Sequence, residues 1–397
     1  MHMRSLFFIC LTVFSIDALA DFITPNDRVT RHVNVRDAAS NGNNIGKLFL
    51  GDFAELTGEH GRYYKIMLPT GVSGFVAKSW TTLVQADSLA DSATGKLELH
   101  FIDVGQGDST LVRCPNGKNI LVDAGSNSGG SPEEVSDYIS EVVGDGLIKI
   151  DTLVITHADG DHYNLIQDAL LGMPVGKIFH VGYQNHYKLK SFWTWLQSFP
   201  SERVTRLGKD YYDKEGSPNT RIDCGDAKVY VLAADIRSNS SWKNARSIVL
   251  MLKYGEFEAV LTGDATKATE RAIMARYSDS FLDIDLLKVG HHGSFATSTS
   301  QGWTDALSPE IAVISSGKKN GYGHPRYEVI DRLDEYTLNN AEPHTFTSAT
   351  RPSGGYNYQS AQEYNEQIYG TADSGNVVVI AGGNGAFEVS TKHHGEF

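Results

Sequence analysis

Apolar and polar positions fall into two regimes along this chain of 397 residues. From about residue 25 to 84 the chain carries short β-like runs: Val33–Arg36, Ile45–Leu50, Phe53–Leu56, Tyr63–Leu68 and Val72–Ala77. Asn-Gly, Gly-Asp and Thr-Gly pairs separate them, which are turn signals, and no 3.6-residue periodicity intervenes. The pattern predicts a small all-β barrel. Residues 85–95 are small and polar, as a linker is. From about residue 96 to the end, β runs alternate with helical patterns. The predicted strands are Leu97–Val104, Ser109–Arg113, Asn119–Val122, Thr152–Thr156, Lys228–Ala233, Ser247–Lys253, Glu258–Thr262, Ile311–Ser315 and Asn376–Ala381. Ser131-Pro132-Glu133-Glu134 reads as a capping box opening a helix through Val143, and further helices are expected over 265–277, 297–306 and 325–336. Such alternation describes a layered α/β domain with chemistry at its strand ends.

The first twenty residues pair Arg4 with the apolar stretch Leu6–Ile16 and then Ala18-Leu19-Ala20, a secretory signal pattern. The run is short for a membrane span, which needs ~20 apolar residues. The expectation is therefore an exported protein beginning near Asp21, periplasmic or secreted, with no transmembrane segment in its mature chain. Losing Arg4 and Asp17 leaves the formal net charge at −13. An acidic balance argues against a general nucleic-acid binder, though not against a local cationic patch or metal-mediated phosphate binding. Cys114 and Cys224 survive processing, and an oxidising compartment would let them pair if the fold brings them together.

Candidate chemistry concentrates directly after the run ending at Ile155. Residues 156–162 read Thr-His-Ala-Asp-Gly-Asp-His, placing His157, Asp159, Asp161 and His162 within six positions. Two imidazoles and two carboxylates can hold one or two divalent ions, which turn water into a nucleophile near neutral pH. Alone, the string could equally be a polar turn capping a helix. Leu-Thr-Gly-Asp at 261–264, Lys-Val-Gly-His-His-Gly-Ser at 288–294 and Gly-Tyr-Gly-His-Pro at 321–325 make the metal reading the stronger one.

Together with Phe101-Ile102-Asp103-Val104-Gly105-Gln106-Gly107-Asp108-Ser109 and Leu121-Val122-Asp123-Ala124-Gly125, these strings resemble the metallo-β-lactamase family, and within it the soluble domain of DNA-internalisation competence proteins. The resemblance runs from about 99 to 325. It implies a four-layer αββα sandwich over 96–397 with a metal site at one edge of two sheets. His157 and Asp159 would face a first ion, Asp161, His162 and His292 a second, and Asp264 would bridge them. The ions would be zinc or manganese. Asp161 would also serve the reaction directly, and His291 and His324 would donate hydrogen bonds or protons at a phosphate. A plain structural role for either histidine, behind the ligands or ahead of Pro325, stays open.

This chain departs from the family pattern in two places. Asp159 stands where many members carry a second histidine, and no histidine precedes the Ser247–Lys253 strand, where Asn244 is the nearest polar side chain. An oxygen-rich first position favours a labile ion or a single occupied site. Asp103, Asp108 and Asp123 read as carboxylates holding the turn at the first strand's end and the histidines behind the metal.

Residues 25–84 resemble a bacterial Src-homology-3-like domain, through His32–Arg36, Gly46–Asp52, Tyr63–Ile66 and Thr70–Val76. That resemblance implies binding to cell-wall peptide, with Tyr63, Tyr64, Phe75 and Trp80 either forming a groove or filling a core. The segment 186–221 carries seven Lys or Arg against four Asp or Glu among seven aromatics, a composition suited to single-stranded DNA or to a helix with an ordinary buried face. His180 and His186 lack partners in sequence. Three functions compete on these features: a metal-dependent phosphodiesterase or nuclease, a hydrolase of a cell-envelope phosphodiester or a lactone, and a wall-binding protein whose hydrolase domain no longer catalyses.

Overall fold

Central strands of the larger unit bury both faces, so they must lie between two apolar layers. In the computed structural model, β8 (Leu97–Phe101) is buried at all five positions. The structure describes residues 22–26, 28–30, 32–49, 54–68, 72–84, 95–144, 148–236, 243–318, 320–350, 355, 357–358 and 362–392. The expected signal sequence and nearly all of the linker lie outside these residues. The chain divides into two compact units, Met1–Leu89 and Ala90–Phe397.

Among the described residues the first unit holds seven strands: β1 (Phe22–Pro25), β2 (His32–Arg36), β3 (Asn44–Phe49), β4 (Ala54–His60), β5 (Tyr63–Met67), β6 (Ser73–Ala77) and β7 (Thr81–Val84). Their order is β3-β2-β6-β5-β4-β1-β7, every pairing antiparallel. The expected barrel is corrected: among the described residues the sheet is open, its edges β3 and β7 unpaired with one another. Alternation read from sequence locates strands but not closure, which depends on whether the edge strands meet. β3 turns only Leu48 fully inward. Ile23, Val35, Leu48, Ile66 and Val76 form this unit's core at 0% exposure.

In the second unit, β9 (Gly105–Arg113), β10 (Asn119–Gly129), β11 (Ile150–Ile155), β12 (Val175–His180) and β13 (Val204–Arg206) follow β8. With β24 (Asn376–Ala381) and β25 (Phe387–Lys392) they make one sheet of order β13-β12-β11-β10-β9-β8-β24-β25. The second sheet runs β14-β15-β16-β17-β18-β23, comprising Lys228–Ala233, Val249–Tyr254, Phe257–Leu261, Leu286–Lys288, Ile311–Ile314 and Ile368–Gly370. Two further two-stranded ribbons pair β19 (Asn339–Phe346) with β22 (Gln362–Glu366) and β20 (Ala349–Thr350) with β21 (Asn357–Tyr358).

Three apolar clusters identify the layers. Val122, Val154 and Phe179 meet Val231, Leu250, Leu261 and Val313 between the sheets. The alternate residues Leu121, Leu153 and Ile178 face outward onto Tyr138, Ile139 and Phe192. Val260, Leu287 and Ala312 do the same on the other side, against Ile273, Trp303 and Ile330. The result is the expected αββα sandwich, its period-two alternation dividing each strand between a central and an outer layer. The helix Pro132–Val143 starts on the anticipated capping box, with Ser131 Oγ accepting from the Glu134 amide at 3.2 Å and Glu134 Oε2 from the Ser131 amide at 2.8 Å. Cys114, after β9, forms a disulfide with Cys224, ahead of β14, and so ties one sheet to the other.

Parallel pairing of β10, β11 and β12, and of β16, β17 and β18, sends their carboxyl ends to one edge. Every loop that carries the candidate chemistry leaves from there.

Candidate metal centre

β11 ends at Ile155, and the next turn must present its side chains at the sheet edge. Thr156 anchors it: its amide and hydroxyl donate to the two oxygens of Asp123, at 2.7 and 2.6 Å. Asp123, in left-handed backbone at φ 60° after β10's Val122, also accepts from His162 Nδ1 at 2.7 Å. Because the Thr156 hydroxyl donates to Asp123, it accepts from His157 Nδ1–H at 3.1 Å. His292 Nδ1 likewise donates to the Ser315 carbonyl at 2.9 Å. All three imidazoles therefore carry their proton on Nδ1 and turn Nε2 toward Asp264, His157 facing Oδ2 and His162 and His292 facing Oδ1, the arrangement of metal-binding histidines held from behind.

Those three Nε2 atoms and Asp264 Oδ1 are buried and find no hydrogen-bond partner. Buried polar atoms are rarely left so unless something else satisfies them. His162 Nε2 lies 3.2 Å from Asp264 Oδ1, while His292 Nε2 lies 3.7 Å from that oxygen and 3.6 Å from Asp161 Oδ2. Four ligands held tetrahedrally at about 2.0–2.1 Å from one ion are spaced roughly 3.4 Å apart. The set Asp161, His162, Asp264 and His292 thus fits a divalent ion. Asp264 Oδ2 faces the other side, 3.7 Å from His157 Nε2 and 3.6 Å from His291 Nε2. The carboxylate spans both halves, as expected of a bridging group.

Electrostatics agree with the geometry. Burial works against ionising Asp264, but the summed attraction of His291, His162 and His292 outweighs it and holds its carboxyl well below the usual range. Asp161 is likewise held at about 2, burial being overcome by its hydrogen bond with His292 and by His162. Burial favours neutral His162, yet Asp264 and Asp123 raise it well above an ordinary histidine. Carboxylates that favour a positive charge on buried histidines would equally favour a cation there, which would displace the histidine protons to water. Burial keeps His157 neutral, lowering it to about 4.

The remaining candidates are placed differently from one another. Asp159 Oδ2 lies 3.7 Å from His157 Nε2, at the margin of the cluster, and its other oxygen is engaged by Lys243 Nζ at 3.0 Å. Asn244, the nearest polar side chain ahead of β15, turns Nδ2 inward, 3.1 Å from Asp264 Oδ2 and 3.3 Å from His291 Nε2. A donor there satisfies the carboxylate instead of a cation. His291 Nδ1 lies 2.7 Å from Thr297 Oγ1, and Thr297 donates onward to Ser294, so Nε2 of His291 carries the lone pair. His324 follows with its ring 5.6 Å from that of His291, lowered by burial to about 3. The helix beyond it begins only at Tyr327, so His324 lines the cavity instead of opening a helix.

Asp103 accepts from the Gly105 amide at 3.0 Å and holds its turn as expected. Asp108 does not: it sits within β9, where Lys288 Nζ donates to it at 2.5 Å, both side chains buried beside Asp264 and His292. Sequence reading missed this pair because its members are 180 residues apart, although Lys288 opens the same motif as the histidines. It also missed Asn127, whose Nδ2 donates to Asp161 Oδ2 at 2.7 Å.

The cluster opens into a cavity of about 420 Å³ rimmed by Gln106, Asn127, Lys188, Leu189, Tyr322 and His324. Of the aromatic segment 186–221, Tyr187, Phe192 and Leu196 are core residues of the outer layer, leaving Lys188 as the segment's cation at the rim. His180 is buried against Tyr187, and His186 accepts from the Tyr183 amide.

Residues 102–229 match the family model described as the Metallo-beta-lactamase superfamily, and the sandwich is a metallo-β-lactamase fold. The chain is 29% identical over 259 residues to ComE operon protein 3 of Bacillus subtilis, a match covering 61% of this chain and 31% of that protein. It is 31% identical over 241 residues to Recombination protein 2 of Haemophilus influenzae, covering 60% of this chain and 26% of that one. These matches span less than a third of either relative's length. A solved metal-dependent hydrolase of the beta-lactamase superfamily aligns at 14% identity and a TM-score of 0.35, over 61% of this chain and 93% of that one. Among the described residues no helix is long and apolar enough to cross a membrane.

Proposed function

We propose that this chain is an exported, metal-dependent phosphodiesterase that acts on nucleic acid. The observation that carries the reading is the convergence of Asp161, His162, Asp264 and His292 on one point at the floor of an open cavity. A divalent ion held by them would supply Lewis acidity and a water of lowered pKa. The chain's own residues do the rest. Asp264 and Asp161 hold the cluster's charge, while Asp123 and Ser315 fix the rings of His162 and His292. His291, with burial favouring its neutral form and Nδ1 held by Thr297, would take a proton at the reacting group and return it to the leaving oxygen. His324, Tyr322 and Asn127 line the approach, and Lys188 offers a cation to a phosphate at the rim. Similarity to ComE operon protein 3 and Recombination protein 2 favours DNA among phosphodiesters, and the Cys114–Cys224 bond accords with export.

Purified full-length protein supplied with manganese should degrade plasmid or single-stranded DNA, and Asp264→Ala should lower that rate by at least about a thousandfold. Intact DNA after prolonged incubation with metal-loaded wild type would overturn the reading.

A second reading, hydrolysis of an envelope phosphodiester, is favoured by a groove of about 520 Å³ in the N-terminal sheet, lined by Arg28, His32, Arg36, Tyr63, Phe75 and Trp80. A Src-homology-3-like wall-binding role would use this groove. Faster turnover of a small diester than of DNA, with Trp80→Ala releasing the protein from cell-wall material, would select it.

A further inference from the structure

We infer that Lys243 is a built-in cation occupying the first half of the centre, so that the chain holds one divalent ion tightly and not two. This rests on the reading of the cluster as a metal centre. Lys243 Nζ donates to Asp159 Oδ1 at 3.0 Å and to the Ala158 carbonyl at 2.9 Å, both in the loop between His157 and Asp161. Its side chain is 23% exposed, so the ammonium is partly withdrawn from water.

The short helical turn Lys243–Arg246 that presents it is pinned at its far end. Arg246 pairs with Asp235 at 2.7 Å, and Ser247 Oγ accepts from the Asp264 amide at 3.2 Å. Lys243 is therefore directed at Asp159 by the same segment that sets the backbone of the bridging carboxylate.

Counting donors on each side gives the asymmetry. On the second side Asp161, His162, His292 and Asp264 Oδ1 face one another, and three of these four atoms have no other partner. On the first side His157 Nε2 is left with Asp159 Oδ2 alone, because Asp159 Oδ1 is taken by Lys243 and Asp264 Oδ2 lies against the Asn244 amide. A second cation bound through Asp159 would sit across one carboxylate from an ammonium, in surroundings where like charges are poorly screened. A lysine carries its positive charge without depending on ion supply, and it leaves the first position with too few ligands for tight binding.

Metal content tests this without recourse to activity. Full-length protein purified without chelator should contain about one ion per chain by elemental analysis, and calorimetric titration of the stripped protein with manganese should saturate at one tight site. Lys243→Met should expose a second site, strengthening its binding by at least about tenfold, whereas Lys243→Arg should keep one. His157→Ala, in the otherwise unchanged chain, should retain the tight ion. Two tight ions in wild type, loss of the tight ion in His157→Ala, or no second site in a folded Lys243→Met protein would each overturn the inference. Asp161→Asn separates the two levels: if it still binds the ion as wild type does, the metal centre itself is wrong; if it loses the ion while Lys243→Met gains none, only the role of Lys243 fails.

Discussion

His180 is a residue whose chemistry comes entirely from where β12 ends. It is 3% exposed, 3.4 Å from the Tyr187 hydroxyl, and burial lowers it to about 4. An unfolded chain leaves this histidine near 6.5, so between those values the unfolded state binds more protons and stability rises with pH. The stabilisation of the neutral form is whole above about 6.5 and is progressively lost on acidification toward 4, by on the order of 3 kcal/mol. Urea titrations between pH 7 and 4 should show a shallower fall for His180→Gln than for wild type. Parallel slopes would refute the assignment. Asp123 shows the same dependence on place: read from sequence as one carboxylate behind the histidines, it accepts from both Thr156 donors and from His162.

Among the elements, the turn after β11 depends on β10 leaving it room. A Cβ on Gly125 would collide with the backbone of Asp161, His162 and Tyr163, the stretch that carries two of the four ligands. Gly125→Ala should cost about 1–3 kcal/mol through overpacking and should displace Asp161 and His162. The wild-type melting temperature should fall when a chelator is added, and that of the variant should not. A variant that melts as wild type does, with and without chelator, would show the contact to be yielding. Strands β14 and β24 coincide with their predicted bounds, because continuous apolar runs flanked by turns leave few other placements. β12, β13 and β17 were not anticipated: they are short or interrupted, and their pairing in the parallel part of each sheet defines them more than their composition does.

Over the whole molecule, charge is the feature that constrains function most. At a formal net charge of −13, the field opposes nucleic acid. Yet Lys188 stands at the cavity rim and Arg28 and Arg36 line the N-terminal groove. A protein that engages a single strand through so few cations should show a shallow salt dependence. The logarithmic slope of binding to a fluorescent oligonucleotide, measured on Asp264→Ala, should be about −1 to −2. A slope several times steeper would require an extended basic surface.

Fold class and most of the candidate centre were legible in the sequence because both are local. Layered α/β structure is written in runs and turns, and the ligand-bearing residues sit within a few positions of strand ends, so each motif declares its own chemistry. Tertiary structure alone decided what depends on distant segments meeting. The N-terminal strands form an open sheet, Asn244 donates to Asp264, Asp108 finds Lys288, and Cys114 reaches Cys224. Lys243 comes to rest on Asp159 across 84 positions of chain. A residue's type fixes which charges and lone pairs it can offer; only the packing of the two sheets determines which partner receives them.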